Sequence, residues 1–486
     1  MTMLRYAFLG VAAVALASCS EQQAATGGLQ GVANAMGATN LNSIQYEGSG
    51  SVLGFGQAYE PGERWPRFDQ RLYRVQASYQ SPGLRLEQIR AQGEHPPRGG
   101  AAQPVAGEQR TVLVVSGENA WAEGGNQATP QNNAAGDRTR MLWATPHGVI
   151  KAALANNGTM DGNTIKFTAG GREFTATVDA QNHIEKVAYQ SYNSVVGDYP
   201  VEVTYSDYTD FNGVMFPKHF VETQDGHPTL DINVTQVSAN PTVDFAVPQN
   251  VAGATPPAGP PTVQMEELAP GVLYVNSAGI RSWAVEFRDH IVVVEGPNNE
   301  ARSLAVNQAI NERFPNKPIR YVINTHAHYD HAGGLRTYVA QGATVVTHEL
   351  NKPFYEKTWA RPHTIQQDLL AKEPKAPMFE TMTDKKVMTD GQQTLELYHV
   401  KGSGHHMGMI FVYSPRARAV YWGDGYNPPE GDDPRDPART PEFGLDLYRN
   451  IVASGVNVQT IAPAHGAGAR PFDNLRKAIG LMAVTQ

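Results

Sequence analysis

Apolar and polar residues alternate over much of residues 44–247, in short runs that Gly, Asn, Asp and Pro separate. Clear examples of such runs are residues 71–79, 111–115, 173–178 and 201–205. Alternation with many β-branched residues is typical of strands that bury one face. One helix is predicted near His147 to Ala155, inside the series of strands. The pattern therefore predicts a mostly antiparallel β domain over residues 44–249.

The pattern changes after residue 263, where strand-like runs mix with helical ones. A helix is predicted near Ala301 to Arg313, and a helical insertion that would set substrate specificity is predicted over residues 351–385. The strand candidates are residues 272–276, 283–287, 291–294, 320–324, 344–347, 395–400, 409–413, 419–422 and 460–462. This mixture predicts two sheets covered by helices, so the chain as a whole is expected to be an α+β protein.

Two segments of biased composition border the β domain. Residues 250–263 contain four Pro and two Gly, which predicts a semi-rigid linker to a second domain over residues 264–486. Residues 20–43 are rich in Ala, Gln, Gly and Asn, and this composition predicts a flexible tether.

The first residues have the pattern of an export signal. Arg5 precedes a mostly apolar run from Tyr6 to Ala17, which has the length of a secretory signal and is too short to span a bilayer. The run ends in Leu16-Ala-Ser-Cys19, which resembles the lipobox of bacterial lipoproteins and holds the only cysteine of the chain. The resemblance implies that residues 1–19 are a signal peptide and that Cys19 carries lipid. An ordinary signal peptide with an incidental cysteine is the alternative.

The lipobox resemblance also implies a location. Acyl chains on Cys19 would hold the protein to a membrane through the N-terminus alone, as a periplasm-facing lipoprotein of the cell envelope. Ser20 stands where such lipoproteins often carry Asp for retention in the inner membrane. In a Gram-negative source, this favours the outer membrane.

Composition and charge exclude several classes of function. The formal net charge is −8, from 39 basic and 47 acidic residues, and it excludes a large nucleic-acid surface. A single cysteine excludes an intramolecular disulfide framework and a multi-cysteine zinc module. The expected partner is a small-molecule substrate, and the sequence does not indicate an oligomeric state.

Metal-binding residue types cluster after the strand candidate 320–324, where the chain continues as His326, His328, Asp330 and His331. Residues 326 and 328 point the same way from an extended strand end, so one metal ion can take both. The next two follow as the chain turns toward a helix, and they can face a second ion. Neutral imidazole nitrogens and carboxylate oxygens are ligands that Zn²⁺ accepts, so the segment predicts a divalent metal site.

The spacing His-x-His-x-Asp-His at a strand end resembles the hallmark of the metallo-β-lactamase fold superfamily. The rest of that pattern is also matched after later strand candidates. The matching segments are Gly402-Ser-Gly-His405, Trp422-Gly-Asp424 and Pro463-Ala-His465-Gly466. The resemblance covers the region after the linker and implies a sandwich with the layer order αββα.

The resemblance implies a dinuclear site. It assigns His326, His328 and His405 to one metal, and it assigns Asp330, His331 and His465 to the other. Asp424 would bridge the two. A set of oxygen and nitrogen ligands without thiolate fits two Zn²⁺ ions, while Mn²⁺ and Fe remain open.

The chemistry implied is hydrolysis by a hydroxide that the two metals share, with Asp330 as the catalytic residue that steers the hydroxide and takes up a proton. The expected substrate is a small carbonyl compound such as a lactone, ester, thioester or amide. Asp424 resembles the thioesterase and lactonase branches, such as glyoxalase II, since the β-lactamases proper have Cys or Ser near this position. β-Lactam hydrolysis, iron-dependent sulfur or oxygen chemistry, and a non-catalytic envelope lipoprotein are the alternatives.

Four further residues are candidates for roles around the ligands. His406 follows a predicted ligand and is expected to support the site or to act as an alternative ligand. Glu295 stands where relatives usually carry an Asp that bonds the His-rich loop. Tyr329 and Tyr426 flank predicted ligands and are candidate donors to an oxyanion, with ordinary packing as the alternative.

Overall fold

The computed structural model describes residues 27–254 and 259–482. The predicted signal peptide and Cys19 lie outside the described residues. Two β-rich regions make up the described chain, one in residues 27–254 and the other in residues 259–482. Within these ranges, every helix is too short or too polar to cross a membrane.

The N-terminal region is one antiparallel sheet of thirteen strands. The strands are β1 (Ser43–Leu53), β2 (Arg67–Ser78), β3 (Gly83–Gln92), β4 (Glu108–Ser116), β5 (Asn119–Glu123), β6 (Thr129–Pro130), β7 (Thr159–Asp161), β8 (Thr164–Ala169), β9 (Arg172–Val178), β10 (Ile184–Asn193), β11 (Gly197–Asp210), β12 (Met215–Gln224) and β13 (His227–Ala239). Their spatial order is β6-β5-β4-β3-β2-β1-β13-β12-β11-β10-β9-β8-β7. The first and last long strands therefore pair in the middle of the sheet.

Three helices bury one face of this sheet: α1 (Gly28–Ala35), α2 (Ala135–Ala144) and α3 (Pro146–Ala155). α3 begins sharply because the Thr145 side chain accepts the Gly148 amide hydrogen and Pro146 occupies the first helical position. The apolar residues of the helices and the inner strand positions form one continuous core, as the alternating pattern predicts.

The structure differs from the predicted tether over residues 20–43. Gly28–Ala35 is a helix, and Val32, Met36 and Leu41 are fully buried in the core. The biased composition of this segment did not indicate a helix. Two apolar residues four positions apart, Val32 and Met36, are sufficient to bury one side of a short helix. The prediction of a flexible tether is therefore wrong for residues 28–43.

The linker predicted over 250–263 also differs at its start. Gln249–Ala252 forms the short helix α4, and Val251 packs fully buried against Val112 and Trp121 of the sheet. The Pro and Gly content of the segment gave no indication that Val251 would be buried. Residues 249–252 thus belong to the N-terminal region.

The C-terminal region contains two sheets. The first holds β14 (Val263–Ala269), β15 (Val272–Ser277), β16 (Ile280–Glu286), β17 (Ile291–Val294), β18 (Ile319–Ile323), β19 (Thr344–His348) and β20 (Phe379–Met382), in this order. The second holds β21 (Lys385–Thr389), β22 (Thr394–His399), β23 (Ile410–Ser414), β24 (Ala419–Trp422), β25 (Thr460–Ile461) and β26 (Arg470–Pro471), also in order. β17 to β20 are parallel to one another, as are β24 and β25.

Helices cover both outer faces of this pair of sheets. They are α5 (Glu300–Arg313), α6 (Tyr329–Ala332), α7 (Leu335–Ala340), α8 (Lys352–Trp359), α9 (Leu369–Lys372), α10 (Glu442–Ala453) and α11 (Asp473–Ala478). Val292 and Trp283 of the first sheet pack against Leu397 and Val412 of the second, so the layers follow the order αββα. The expected α+β class and the sandwich are confirmed. The predicted insertion over 351–385 is helical only in part, because β20 extends the first sheet.

The two regions share a core. The turn between β10 and β11 carries Val195 and Val196, which are buried among apolar side chains of the first C-terminal sheet and its helices. Across the same boundary, the Arg361 guanidinium donates two hydrogen bonds of 2.7 Å to the Asp225 carboxylate. The N-terminal region is therefore packed onto the C-terminal sandwich rather than carried beside it.

Candidate metal centre

The predicted metal ligands lie on four segments that begin at carboxyl ends of strands. His326 and His328 follow β18, and the chain then turns into α6, which carries Asp330 and His331. His405 follows β22, Asp424 follows β24 and His465 follows β25. Neighbouring strands place these loops at one edge of the sandwich, and the seven side chains come together there.

The first group consists of His326, His328, His405 and Asp424, whose ligand atoms all lie within 4.8 Å of one another. The Nε2 atoms of His326 and His405 are 3.1 Å apart. The Asp424 Oδ2 lies 3.7 Å from the His326 Nε2 and 3.4 Å from the His405 Nε2. These atoms point at a common centre.

The second group consists of Asp330, His331, His465 and again Asp424, within the same 4.8 Å limit. The His331 Nε2 is 3.1 Å from the Asp424 Oδ2 and 3.1 Å from the His465 Nε2. The Asp330 Oδ2 is 3.4 Å from the His331 Nε2 and 3.5 Å from the His465 Nε2. Because Asp424 belongs to both groups, it is placed to bridge two ions.

The hydrogen bonds of His328 test whether this set fits a metal. Its Nε2 is 2.9 Å from the Ala58 carbonyl oxygen, which can only accept, so Nε2 carries the proton. Among the described residues, its buried Nδ1 has no hydrogen-bond partner. Burial lowers the pKa of His328 to about 3, so the ring is neutral near pH 7. A buried lone pair without a partner, aimed at three other ligand atoms, is what a metal site requires.

Glu295 lies at the end of β17 and orients the second group. Its carboxylate is 3.3 Å from the His331 Nδ1 and accepts the Asn324 side-chain amide at 2.9 Å. The residue has φ 76, a costly conformation for a residue with a side chain, and the Ser282 hydroxyl donates to its carbonyl at 2.9 Å. A carboxylate that holds the far nitrogen of a ligand imidazole is the usual support of a metal-binding histidine.

The charges of the centre are balanced between carboxylates and imidazoles. Burial tends to raise the pKa of Asp424, but the His331 imidazole and the hydrogen bonds to His331 and His405 outweigh it and hold the pKa well below its usual value. Burial also lowers the pKa of His326. Burial tends to lower the pKa of His331, but Asp330 and Asp424 outweigh it and raise that pKa well above its usual value. A divalent cation bound in the second group would therefore displace a proton from His331.

The centre is open on one side. The side chains of Asp330 and His465 are 38% and 24% exposed, whereas Asp424 is 4% exposed and His326 is fully buried. The side of Asp330 and His465 is therefore accessible to solvent.

The structure places the other predicted residues in different roles. His406 is buried, its Nδ1 accepts the Gly408 amide hydrogen at 3.0 Å, and its ring centre is 5.3 Å from that of His326; it lies outside both ligand groups and packs beside them. The Tyr426 hydroxyl donates to the Pro434 carbonyl at 3.0 Å, so the prediction of an oxyanion donor is wrong there.

Tyr329 lies at the boundary of the two regions. Its ring packs against Phe55 at 5.3 Å and Phe354 at 6.2 Å between centroids. These contacts are apolar packing, which is the alternative that the sequence left open for Tyr329.

Sequence reasoning missed two N-terminal contributors. The Gln57 side-chain amide donates to the Asp330 Oδ1 at 2.9 Å, and the Ala58 carbonyl accepts from His328. No metal-binding pattern surrounds either residue. The only signal near them is Gly54-Phe-Gly56, two glycines that mark a tight loop between strands.

Comparison with known proteins agrees with this geometry. Residues 283–465 match the family model of the metallo-beta-lactamase superfamily. The C-terminal region is a domain of this superfamily. The matched range contains all seven predicted ligands, from His326 to His465.

Individual relatives are distant. The alpha subunit of 2,4-dinitroanisole O-demethylase from Nocardioides sp. (strain JS1661) is 22% identical over 166 residues, which are 34% of this chain and 46% of that protein. The chain thus spans about half the length of this curated relative.

Solved structures are similar over the metallo-beta-lactamase domain. A metallo-beta-lactamase from Pontibacter korlensis is 18% identical, with a TM-score of 0.35, over 45% of this chain and 98% of its own. The metallo-beta-lactamase FIM-1 from Pseudomonas aeruginosa, in a mono-zinc form, is 17% identical, with a TM-score of 0.36, over 46% of this chain and 96% of its own.

Proposed function

We propose that the chain is a metal-dependent hydrolase of a small carbonyl substrate such as a lactone, ester, thioester or amide. The observation that carries the proposal is the pair of ligand groups that share the Asp424 carboxylate and contain no thiolate. A shared carboxylate supports a two-metal site, and such sites are typical of hydrolysis.

His326, His328 and His405 would hold one ion, Asp330, His331 and His465 the other, and Asp424 both. Two divalent ions, with zinc favoured by the ligand types, would lower the pKa of water and polarise a substrate oxygen. Asp330 faces the open side, with its Oδ1 held by Gln57. From this position its carboxylate can receive a proton from the reacting group and pass it to solvent.

The partial exposure of the site supports catalysis over a purely structural role. Structural zinc sites are closed by protein ligands, whereas catalytic sites keep a position accessible. The exposure of Asp330 and His465 provides that access. β-Lactams, which the solved relatives are named for, and aryl methyl ethers, which the curated relative is named for, extend the set of substrates worth testing.

The test is a substrate screen with zinc-loaded protein and two variants. Lactones, esters, thioesters, β-lactams and an aryl methyl ether are assayed with native protein, His326→Ala and His290→Ala. His290 is a matched control, since it is a buried histidine of the same domain that bonds Asp289 at 2.7 Å. We expect turnover of one substrate class and a loss of more than about 100-fold in His326→Ala, because losing a ligand costs more than losing a group that orients one.

Metal analysis of the purified protein accompanies the screen. About two zinc ions per chain would agree with the proposal. Equal rates for native protein and His326→Ala would contradict the mechanism, and iron in place of zinc would favour oxygen or sulfur chemistry. Inactivity across the screen, with metal bound, would favour a non-catalytic metal site.

A further inference from the structure

Two N-terminal loops cover the metal centre. The β1–β2 loop, residues 54–66, lies on the His-rich loop after β18, and the β3–β4 loop, residues 93–107, lies on the segments around His405 and Asp424. The contacts that follow are hydrogen bonds to ligands or to their immediate neighbours, which ordinary domain packing does not require.

The first contact fixes the tautomer of a ligand. In the β1–β2 loop, the Ala58 carbonyl accepts the Nε2 proton of His328 at 2.9 Å. With the proton held there, Nδ1 keeps its lone pair toward the ligand group. A backbone carbonyl in this position is a common support of a metal-binding histidine, but here it comes from the N-terminal region.

The second contact fixes a carboxylate. The Gln57 side chain must present its nitrogen to Asp330, because an ionised carboxylate offers only acceptors. The bond goes to Oδ1, at 2.9 Å. It leaves Oδ2, which is 3.4 Å from the His331 Nε2 and 3.5 Å from the His465 Nε2, as the oxygen that faces the second group.

A glycine brings this loop close enough. The Gly56 carbonyl accepts the Tyr329 amide hydrogen at 3.1 Å, and Gly56 has φ +75. A Cβ at this position would lie 2.4 Å from the Tyr329 Cδ2, which is far inside van der Waals contact. Only a residue without a side chain allows Gln57 and Ala58 to reach the ligands.

The β3–β4 loop contacts two further ligand segments, those of His405 and Asp424. The Gly99 amide donates to the Gly404 carbonyl at 3.0 Å, next to His405. The Gly425 amide donates to the Ala102 carbonyl at 3.1 Å, next to Asp424. Backbone contacts therefore reach three of the four ligand segments from outside the metallo-beta-lactamase domain.

We propose that the N-terminal region completes the metal centre, with Gln57 as a positioning residue for Asp330 and the Ala58 carbonyl as the group that orients His328. The inference rests on the proposed metal site, but not on any particular substrate. It assigns the thirteen-stranded sheet a role in holding metal ions and in shaping the open side of the centre.

The first experiment compares two glutamines of the same region in the full chain. Gln57→Leu removes the donor to Asp330, and Gln76→Leu removes a donor of the same kind, 2.9 Å from the Gln45 side chain within the sheet. Zinc retention is measured in protein dialysed against graded chelator concentrations, and Co²⁺-loaded protein is followed by visible absorption. In Gln57→Leu we expect one of two ions to bind about 10- to 100-fold more weakly, with an altered Co²⁺ spectrum.

The second experiment displaces the β1–β2 loop by adding a methyl group where the loop lies against Tyr329. Gly56→Ala places the new methyl group against Tyr329, whereas Gly62→Ala, at φ +83 in the same loop, meets only the Phe354 Cδ2 at 3.4 Å. Both variants carry the same backbone strain, so a difference between them reports the displacement. We expect Gly56→Ala to weaken zinc and Gly62→Ala to retain it as native protein does.

The outcomes separate this inference from the proposed function. Equal zinc retention in Gln57→Leu and Gln76→Leu overturns the inference, even if the native protein is an active hydrolase. Weaker zinc in Gln57→Leu alone supports it, even if every substrate in the screen fails. Where a substrate is found, a fall in kcat without a matching rise in KM for Gln57→Leu supports a positioning role, and a change in KM alone contradicts it.

Discussion

The two regions of this chain contribute to the metal centre in opposite ways. The metallo-beta-lactamase domain supplies seven side chains at strand ends that could hold metal. The N-terminal region supplies one glutamine amide and one main-chain carbonyl from loops between strands. Side chains that bind such metals come from a few residue types, here His and Asp, and are therefore visible in a sequence. The groups that orient them can be almost any donor or acceptor that the fold brings within hydrogen-bond distance.

The regions also differ in what stabilises them. The N-terminal region buries a continuous apolar core between its sheet and helices, which supplies its stability through burial alone. The C-terminal region buries Glu295, Asp424 and several imidazoles at one edge of the sandwich. Buried charges of this kind are costly unless they are paired or bind metal. The comparison therefore predicts that metal removal loosens the ligand loops and leaves the N-terminal strands far from the centre, such as β8 and β9, unchanged.

Metal removal has the largest expected effect. With free zinc at about 1,000 times its Kd, binding stabilises the folded state by about 4 kcal/mol. After chelation we expect faster hydrogen exchange in the ligand loops around residues 324–332 and 419–426, and unchanged exchange in β8 and β9. Hydrogen exchange with mass spectrometry measures both regions in one sample, and added zinc should restore the protection.

Two results would contradict the expected difference in hydrogen exchange between the two regions. Faster exchange spread evenly over β8 and β9 would mean that the regions unfold as one unit and that the shared core around Val195 dominates. Slow exchange throughout the ligand loops would mean that their hydrogen bonds hold the centre without metal.

The second largest expected effect is a loss of stability of the N-terminal region at acidic pH. His147 is fully buried in α3, its Nε2 lies 3.0 Å from the Met36 carbonyl oxygen, and its ring stacks on Phe216. Burial lowers the pKa of His147 to about 4, against about 6.5 in the unfolded chain. On acidification the unfolded state therefore binds a proton at His147 before the folded state does. The contribution of this residue to the free energy of unfolding is full above pH 6.5, and about 3 kcal/mol of it is lost as the pH drops to 4.

Urea unfolding at pH 7.0 and pH 4.5 measures this slope. His147→Gln should reduce the difference between the two pH values, because the glutamine does not titrate. His219→Gln is the control, since His219 is 33% exposed and bonds Asp231 at the surface of the same sheet. An unchanged slope in His147→Gln would assign the acid sensitivity to other groups of the chain.

The sequence was informative where the chemistry demands particular residues. The seven ligands, the αββα order and the alternating strands follow from residue types and periods that few other structures use. Glu295 was identified as a candidate by its place after a strand, but its positive φ and its bond to His331 depend on tertiary contacts.

The misses share one physical cause. α1 is held by a few small apolar residues whose burial depends on the sheet above them. Gln57 and Ala58 reach the ligands because the β1–β2 loop packs on the C-terminal region. Ala58 and His328 are 270 residues apart in the sequence. Contacts over such separations leave no local pattern, so they require the fold itself.

The smallest expected effect concerns the boundary between the regions. Arg361 and Asp225 form a bidentate ion pair across it, with side chains 26% and 21% exposed, and the Arg361 guanidinium also donates to the Asp198 carbonyl at 3.1 Å. Hydrogen bonds between charged groups that are partly buried contribute about 2 kcal/mol. Arg361→Ala should lower the free energy of urea unfolding by that amount, and Arg361→Lys should recover only part of it, because lysine cannot form both bonds.

Arg320→Ala is the matched control, since Arg320 pairs with Asp289 inside the C-terminal region at 46% and 62% exposure. An exposed pair is screened by water, so its loss should lower the free energy of unfolding much less than the loss of the boundary pair. If Arg361→Ala costs no more than Arg320→Ala, the boundary is held by apolar contacts such as those of Val195 and Val196. Mutations in that apolar core, rather than in the ion pair, would then displace the N-terminal loops from the metal centre.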